Sequence, residues 1–64
     1  MNITFIVKHN NAVIENHTIH YAAQPGYEMV HRFAFGRYNA NRHLGDLQSI
    51  KFDGNSIITV SIIG

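Results

Sequence analysis

The chain has 64 residues, a formal net charge of +1, 45% hydrophobic residues, 14% charged residues and no cysteine. A chain this short forms one domain, and the lack of cysteine excludes disulfides, thiolate-bound zinc and iron–sulfur clusters. No apolar run approaches the roughly 20 residues of a membrane helix, and Met1–Phe5 lacks the layout of a signal peptide, so we expect a single cytoplasmic domain over residues 1–64.

The first third of the chain predicts a β-hairpin. Residues 2 to 8 alternate in polarity and are rich in β-branched types, which predicts a strand. Asn10 and Asn11 follow, and asparagine tolerates the positive φ that tight hairpin turns demand. Residues 12 to 21 predict a second strand whose poor alternation is typical of an edge strand or a bulge.

Gln24-Pro25-Gly26 is the clearest break in the chain, and an amphipathic helix is predicted after it. A helix would gather apolar side chains on one face and polar ones on the other: Tyr27, Val30, Phe33, Ala34 and Tyr38 against Glu28, Arg32 and Gly36. A strand is the alternative over residues 31–38, because Phe33 and Phe35 have strand spacing and Gly36 weakens a helix by about 1 kcal/mol. A polar turn at residues 39–41 is expected to end the element.

Residues 46 to 52 and 56 to 63 predict a second hairpin. We favour a three-residue loop, Asp53-Gly54-Asn55, with Asn55 in the left-handed conformation, because this register separates the two faces of the hairpin. The pairs it predicts are Phe52 with Ser56, Ile50 with Ile58, and Gln48 with Val60. One face then carries Ile50, Phe52, Ile58, Val60 and Ile62, and the other carries Ser49, Lys51, Thr59 and Ser61. The fold class is therefore α+β, a small antiparallel sheet in ββαββ order with one helix packed on a face.

The last strand, residues 56–63, carries no charge and no proline. In the centre of the sheet it would be a core strand. At an edge it would pair with a second chain, which gives Ile57, Thr59, Ser61 and Ile63 as candidate self-association residues of a homodimer. The pattern leaves both positions open.

The most informative local feature is the basic and aromatic segment of residues 31–43. It holds three of the chain's five basic residues, and no carboxylate lies between Glu28 and Asp46. Such a segment suits an acidic protein surface, and it also suits phosphates and stacked bases. The predicted partner-binding residues are Arg32, Phe35, Arg37, Tyr38 and Arg42. Alternatively, the aromatic residues are core and the arginines form a solvated face.

The order of residues 32–38 superficially resembles the octamer of the RNA recognition motif, which spaces three aromatics on a strand. The glycine that normally separates the basic residue from the first aromatic is absent, and the order of elements differs. We therefore interpret the similarity as coincidence.

No motif predicts catalysis or a cofactor. The chain has five histidines and four carboxylates, but no phosphate-binding loop, nucleophile elbow or metal-ligand motif. The histidines are dispersed along the chain, so no metal site is predicted.

The composition favours a small interaction protein that docks onto a larger protein and modulates or inhibits it. In size and style the chain is similar to accessory regulators encoded by phages and mobile elements. The first alternative is a nucleic-acid-binding module that uses the basic and aromatic segment. The second alternative is a homo-oligomeric structural protein assembled through residues 56–63.

Overall fold

The computed structural model describes the whole chain, residues 1–64, as a four-stranded sheet with one helix on one face. The elements in chain order are β1 (Asn2–His9), β2 (Ala12–His20), α1 (Tyr27–Ala40), a short 3-10 turn (Arg42–Leu44), β3 (Asp46–Asp53) and β4 (Ile57–Ile63). The predicted α+β class and ββαββ order are confirmed, and residues 31–38 are helical rather than extended. No helix is both long enough and apolar enough to cross a membrane.

The two hairpins join through β1 and β4, the first and last strands in the chain. The strand order is β2-β1-β4-β3, so β1 and β4 are central and β2 and β3 are edges. Each hairpin is antiparallel, as predicted, but β1 and β4 run parallel, from the pair Thr4–Ile57 to the pair His9–Ile62. α1 makes this parallel pair possible, because it carries the chain from the end of the sheet where β2 finishes to the opposite end, where β3 begins.

The core is built by alternate residues of the two central strands. They are joined by two residues of α1, and the full set is Ile3, Phe5, Val7, Val30, Ala34, Ile58, Val60 and Ile62. Phe5 is fully buried and packs against Phe33 of α1 with ring centroids 4.5 Å apart. Full burial of one of the larger side chains, such as Phe5 or Ile58, contributes about 1.5–3 kcal/mol to the stability of the fold.

The first hairpin forms as the sequence predicts. Asn10 and Asn11 both have positive φ, at 50° and 70°. The register between β1 and β2 shifts at Val7 and Lys8, which is the expected irregularity, and β2 lies at an edge of the sheet. The poor alternation of β2 therefore reflects both its bulge and its exposed edge.

The register predicted for the second hairpin is wrong by two residues. Phe52 pairs with Ile58 rather than Ser56, and Ile50 pairs with Val60 rather than Ile58. The loop has three residues, 54–56, and its left-handed residue is Gly54 (φ 65°) rather than Asn55. Glycine adopts this conformation without the steric cost that a side chain adds. A shift of two residues leaves every side chain on its predicted face, so the predicted faces are confirmed.

Of the two positions that the sequence leaves open for residues 56–63, the structure shows the central core strand and excludes the edge. β4 lies between β1 and β3, and its backbone pairs with both of them. The candidate self-association residues, Ile57, Thr59, Ser61 and Ile63, lie on the sheet face opposite α1, since they alternate with the buried residues of β4. Ile57 and Ile63 are 38% and 52% exposed. The edges that are open to pairing belong to β2 and β3.

Candidate functional site

Five ring side chains form a continuous row along α1 and across to β3. We call this set, Phe52, Tyr27, His31, Phe35 and Tyr38, the aromatic row. Successive ring centroids lie 5.0 Å (Phe52–Tyr27), 5.6 Å (Tyr27–His31), 6.4 Å (His31–Phe35) and 5.7 Å (Phe35–Tyr38) apart. These separations are typical of interacting aromatic pairs.

Helix periodicity and strand alternation produce the row. Tyr27, His31 and Phe35 are four residues apart, and Tyr38 follows three residues later, so all four lie along one side of α1. Phe52 pairs with the buried Ile58 and therefore points to the helix side of the sheet. Because β3 is an edge strand, this side of α1 has no further strand to cover it.

The row is partly open to solvent. Tyr27 is 66% exposed, Phe35 is 41% exposed and Phe52 is 37% exposed. Tyr38 is half-buried, and its hydroxyl donates a hydrogen bond of 3.3 Å to the carbonyl oxygen of Gly45. Exposed apolar side chains that lie next to one another are a common feature of interaction sites, so the row is the candidate binding surface.

A small cleft lies at the Phe52 end of the row. Its volume is about 200 Å³, and it lies between the loop before α1 and the loop between β3 and β4. Three core residues, Ile3, Val30 and Ile58, form part of its lining, and the amides of Gln24 and Asn55 also border it. The cleft is too small for a typical cofactor but matches a single apolar side chain.

The three arginines of the basic and aromatic segment have different surroundings. Arg32 and Arg42 are exposed and have no ion-pair partner. Arg37 instead donates two hydrogen bonds to the carboxylate of Glu15 on β2, Nε to Oε1 at 2.9 Å and Nη2 to Oε2 at 3.0 Å. Arg37 therefore stabilises the fold through this ion pair, and the segment carries less unpaired positive charge than its sequence predicts.

Glu15 is the centre of a polar cluster between β2 and the end of α1. Besides the two bonds from Arg37, its carboxylate accepts a hydrogen bond of 2.8 Å from the side-chain amide of Asn41. His17 lies 2.8 Å from its other oxygen. The hydrogen bonds from Arg37 outweigh the effect of burial and lower the pKa of Glu15 from its usual 4.5 to about 2.

The structure brings together only part of the predicted partner-binding set. Phe35 and Tyr38 belong to the aromatic row, and Arg32 lines the same shallow surface depression as Phe35. Arg37 contacts Glu15 instead, and Arg42 lies beyond the end of α1. His31 and Phe52 were not among the predicted partner-binding residues, and Tyr27 was expected on the apolar face of the helix. The four-residue spacing of Tyr27, His31 and Phe35 is the signal that could have identified the row.

The similarity of residues 32–38 to the RNA recognition motif is a coincidence of order. In that motif the aromatics project from one face of a strand. Here the segment is helical, Phe33 packs against Phe5 of the core, and Phe35 lies in the exposed row.

Comparison with known proteins gives a likeness of fold. No protein-family model matches the chain, and no curated protein matches it. A crystal structure of agnB2 LeuRS from Agrobacterium radiobacter K84, in a ternary complex with tRNA and LeuAMS, contains a similar arrangement. The match has a TM-score of 0.57 and 21% sequence identity, and it covers 95% of this chain but only 8% of the synthetase chain. At this identity the comparison shows a likeness of fold alone.

Proposed function

We propose that this protein is a small recognition module that binds a larger protein through the aromatic row and modulates its activity. The observation that carries the proposal is the exposure of Tyr27, Phe35 and Phe52 in one connected array. Aromatic residues are enriched at the cores of protein interfaces, and tyrosine is enriched among the few residues that carry most of the binding energy. The adjacent cleft adds a place for one apolar side chain of that partner.

The arrangement of the rings favours a protein partner over stacked bases. Tyr27 stacks on both Phe52 and His31, and these rings lie within 24° of parallel. A ring that is already stacked on its neighbours offers a base less of its flat surface than a free ring would. The edges of the rings stay available, and they pack well against apolar and aromatic side chains.

The proposal is tested by measuring affinity for a purified partner. A tagged form of the chain captures candidate proteins, and the dissociation constant of each purified candidate is then measured by calorimetry. Tyr27→Ser and Phe35→Ser should each weaken binding about tenfold or more, as expected for interface aromatics. Met29→Ser is the matched control, because Met29 is 56% exposed on α1 but lies outside the aromatic row. Equal affinity of the unmodified chain and the three variants for the partner would refute the proposal.

RNA binding is the second candidate function. Two observations favour it: Arg32 and Arg42 are exposed without ion-pair partners, and the LeuRS of similar fold was crystallised with tRNA. Salt distinguishes the two candidates, because binding to phosphates weakens steeply as salt rises. If RNA is the ligand, an Arg32→Ala/Arg42→Ala variant should bind a fluorescent single-stranded RNA more weakly and with a smaller salt dependence. Binding to a protein partner should change little between low and high salt.

A further inference from the structure

We infer that the exposed edge of β3 pairs with β3 of a second copy of this chain, around a two-fold axis at Phe52. The inference rests on the proposed function in one respect, since Phe52 belongs to the aromatic row. It adds a specific partner for the surface and a way of regulating access to it.

The edge of β3 carries side chains that complement themselves. Lys51 and Asp53 lie on either side of Phe52 along the strand, and neither has an ion-pair partner within the chain. When two identical strands pair antiparallel about a two-fold axis, a residue just before the axis in one copy lies opposite the residue just after the axis in the other copy. With Phe52 on the axis, Lys51 of each copy lies directly opposite Asp53 of the other copy. Two intermolecular ion pairs then flank one pair of phenylalanines.

The expected distances allow these contacts. Residues directly opposite each other in an antiparallel pair have Cβ atoms about 4.5–5.5 Å apart, within reach of a lysine–carboxylate pair. Lys51 and Asp53 lie on the sheet face away from α1, opposite Thr59 and Ile57 of β4. Phe52 lies on the helix face, so the two phenylalanine rings meet beneath the helices.

The other open edge lacks this match. On the helix face of β2, Glu15 and His17 already bond to each other, and Glu15 is also held by Arg37 and Asn41. A second β2 strand would meet groups whose hydrogen bonds are already made. Lysine on an edge strand normally discourages pairing with another strand. On β3, Asp53 lies two residues from Lys51, so each lysine gains an ion pair with the aspartate of the second copy.

Pairing in this register has a consequence for the aromatic row. A two-fold axis perpendicular to the sheet keeps both helices on the same side, and the row of each copy lies on the side of α1 next to β3. The two rows therefore face each other across the joined edges. A dimer of this form covers the rings that a larger partner would bind. Self-association would therefore block that binding until the dimer dissociates.

A charge-exchange experiment tests the inference. Sedimentation equilibrium of the unmodified chain, from micromolar to millimolar concentration, should show a monomer–dimer equilibrium. Lys51→Asp and Asp53→Lys should each weaken the dimer about tenfold or more, because each variant places like charges opposite each other. The double variant Lys51→Asp/Asp53→Lys should restore the dimer, since the pairs are re-formed with reversed sign. Lys8→Asp is the control for Lys51→Asp, with the same change in net charge but on the central strand β1.

Two results would overturn the inference. One is a chain that stays monomeric at every concentration, and the other is a dimer that responds to the single exchanges no more than to Lys8→Asp. Both readouts use the chain alone, so they are independent of the partner titrations with Tyr27→Ser and Phe35→Ser. The three substituted positions, Lys8, Lys51 and Asp53, are on strands with partly or fully exposed side chains, and circular dichroism checks that each variant is folded.

Discussion

Glu15 and Arg37 form a two-point ion pair that fastens an edge strand to the end of the helix. The two hydrogen bonds measure 2.9 and 3.0 Å, and the side chains are 20% and 30% exposed. Asn41 completes the arrangement, since its side-chain amide donates both to Glu15 and to the carbonyl oxygen of Arg37, each at 2.8 Å. The cluster thus links β2 to the C-terminal end of α1.

Removing either partner of this pair should destabilise the fold. We predict that Arg37→Ala lowers the free energy of unfolding by about 1–3 kcal/mol, because the partly buried Glu15 loses its charged partner. Arg32→Ala is the matched control on the same helix, and since Arg32 has no ion pair its effect should stay within about 0.5 kcal/mol. Urea unfolding followed by circular dichroism measures both. Equal effects of the two substitutions would contradict the assignment of Arg37 to the fold.

The low pKa of Glu15 predicts an acid dependence of stability. The pKa of this carboxyl is about 2 in the folded chain, below its usual 4.5. A lowered pKa means that the ionised group stabilises the folded state, fully above the unfolded value and less as the pH falls. We therefore expect the contribution of Glu15 to be lost as the pH drops from about 4.5 through about 2.

Thermal unfolding between pH 7 and pH 2 checks this expectation. Glu15→Gln removes the titrating group, so the variant should be less stable at pH 7 and should lose less stability across the acid range. The difference in melting temperature between the two proteins should therefore shrink as the pH falls. A difference that stays constant would show that Glu15 does not titrate with folding.

Two glycines should respond to alanine in opposite directions. Gly45 has φ 155°, and a Cβ there would overlap the carbonyl oxygen of Ile63, so Gly45→Ala should destabilise the fold by about 2 kcal/mol or more. Gly36 lies within α1, and a Cβ there meets nothing within 4 Å. Gly36→Ala should therefore stabilise the fold by about 0.5–1 kcal/mol. Urea unfolding of both variants gives the comparison, and destabilisation by Gly36→Ala would contradict it.

The aromatic row should contribute much less to stability than the core aromatics do. Phe5 is fully buried, and Phe5→Ala should cost about 3–5 kcal/mol. Phe35 is 41% exposed, so Phe35→Ala should cost about 1 kcal/mol or less. A loss for Phe35→Ala close to that for Phe5→Ala would mean that the row is part of the core, and the proposed binding surface would have to be withdrawn. Calorimetric melting of the two variants decides the matter.

The fold was largely predictable because its elements follow from local patterns. The alternation of Ile3, Phe5 and Val7, the two asparagines of the first turn and the break at Pro25 each act over a few residues. The register of the second hairpin depended on a choice between Gly54 and Asn55 for the left-handed position, and both residues are compatible with it. The parallel pairing of β1 and β4 depends on residues more than fifty positions apart, which no local pattern reports.

The candidate site was predictable only in part, for a related reason. Phe35 and Tyr38 were identified from their place in a basic and aromatic segment. The partnership of Arg37 with Glu15 joins positions 22 residues apart, so the arginine looked free in the sequence. Phe52 was assigned correctly to the apolar face of the second hairpin, but its exposure follows from β3 being an edge strand, which only the topology reveals.

The parallel pairing of the two central strands also determines how the molecule resists mechanical force. Because β1 and β4 run in the same direction, Asn2 and Ile63 lie at opposite ends of the sheet. A pull on these two residues acts along the strands and loads the hydrogen bonds between β1 and β4 all at once, in shear. These bonds must then break together rather than one after another, so we expect the chain to act as a mechanical clamp despite its small core.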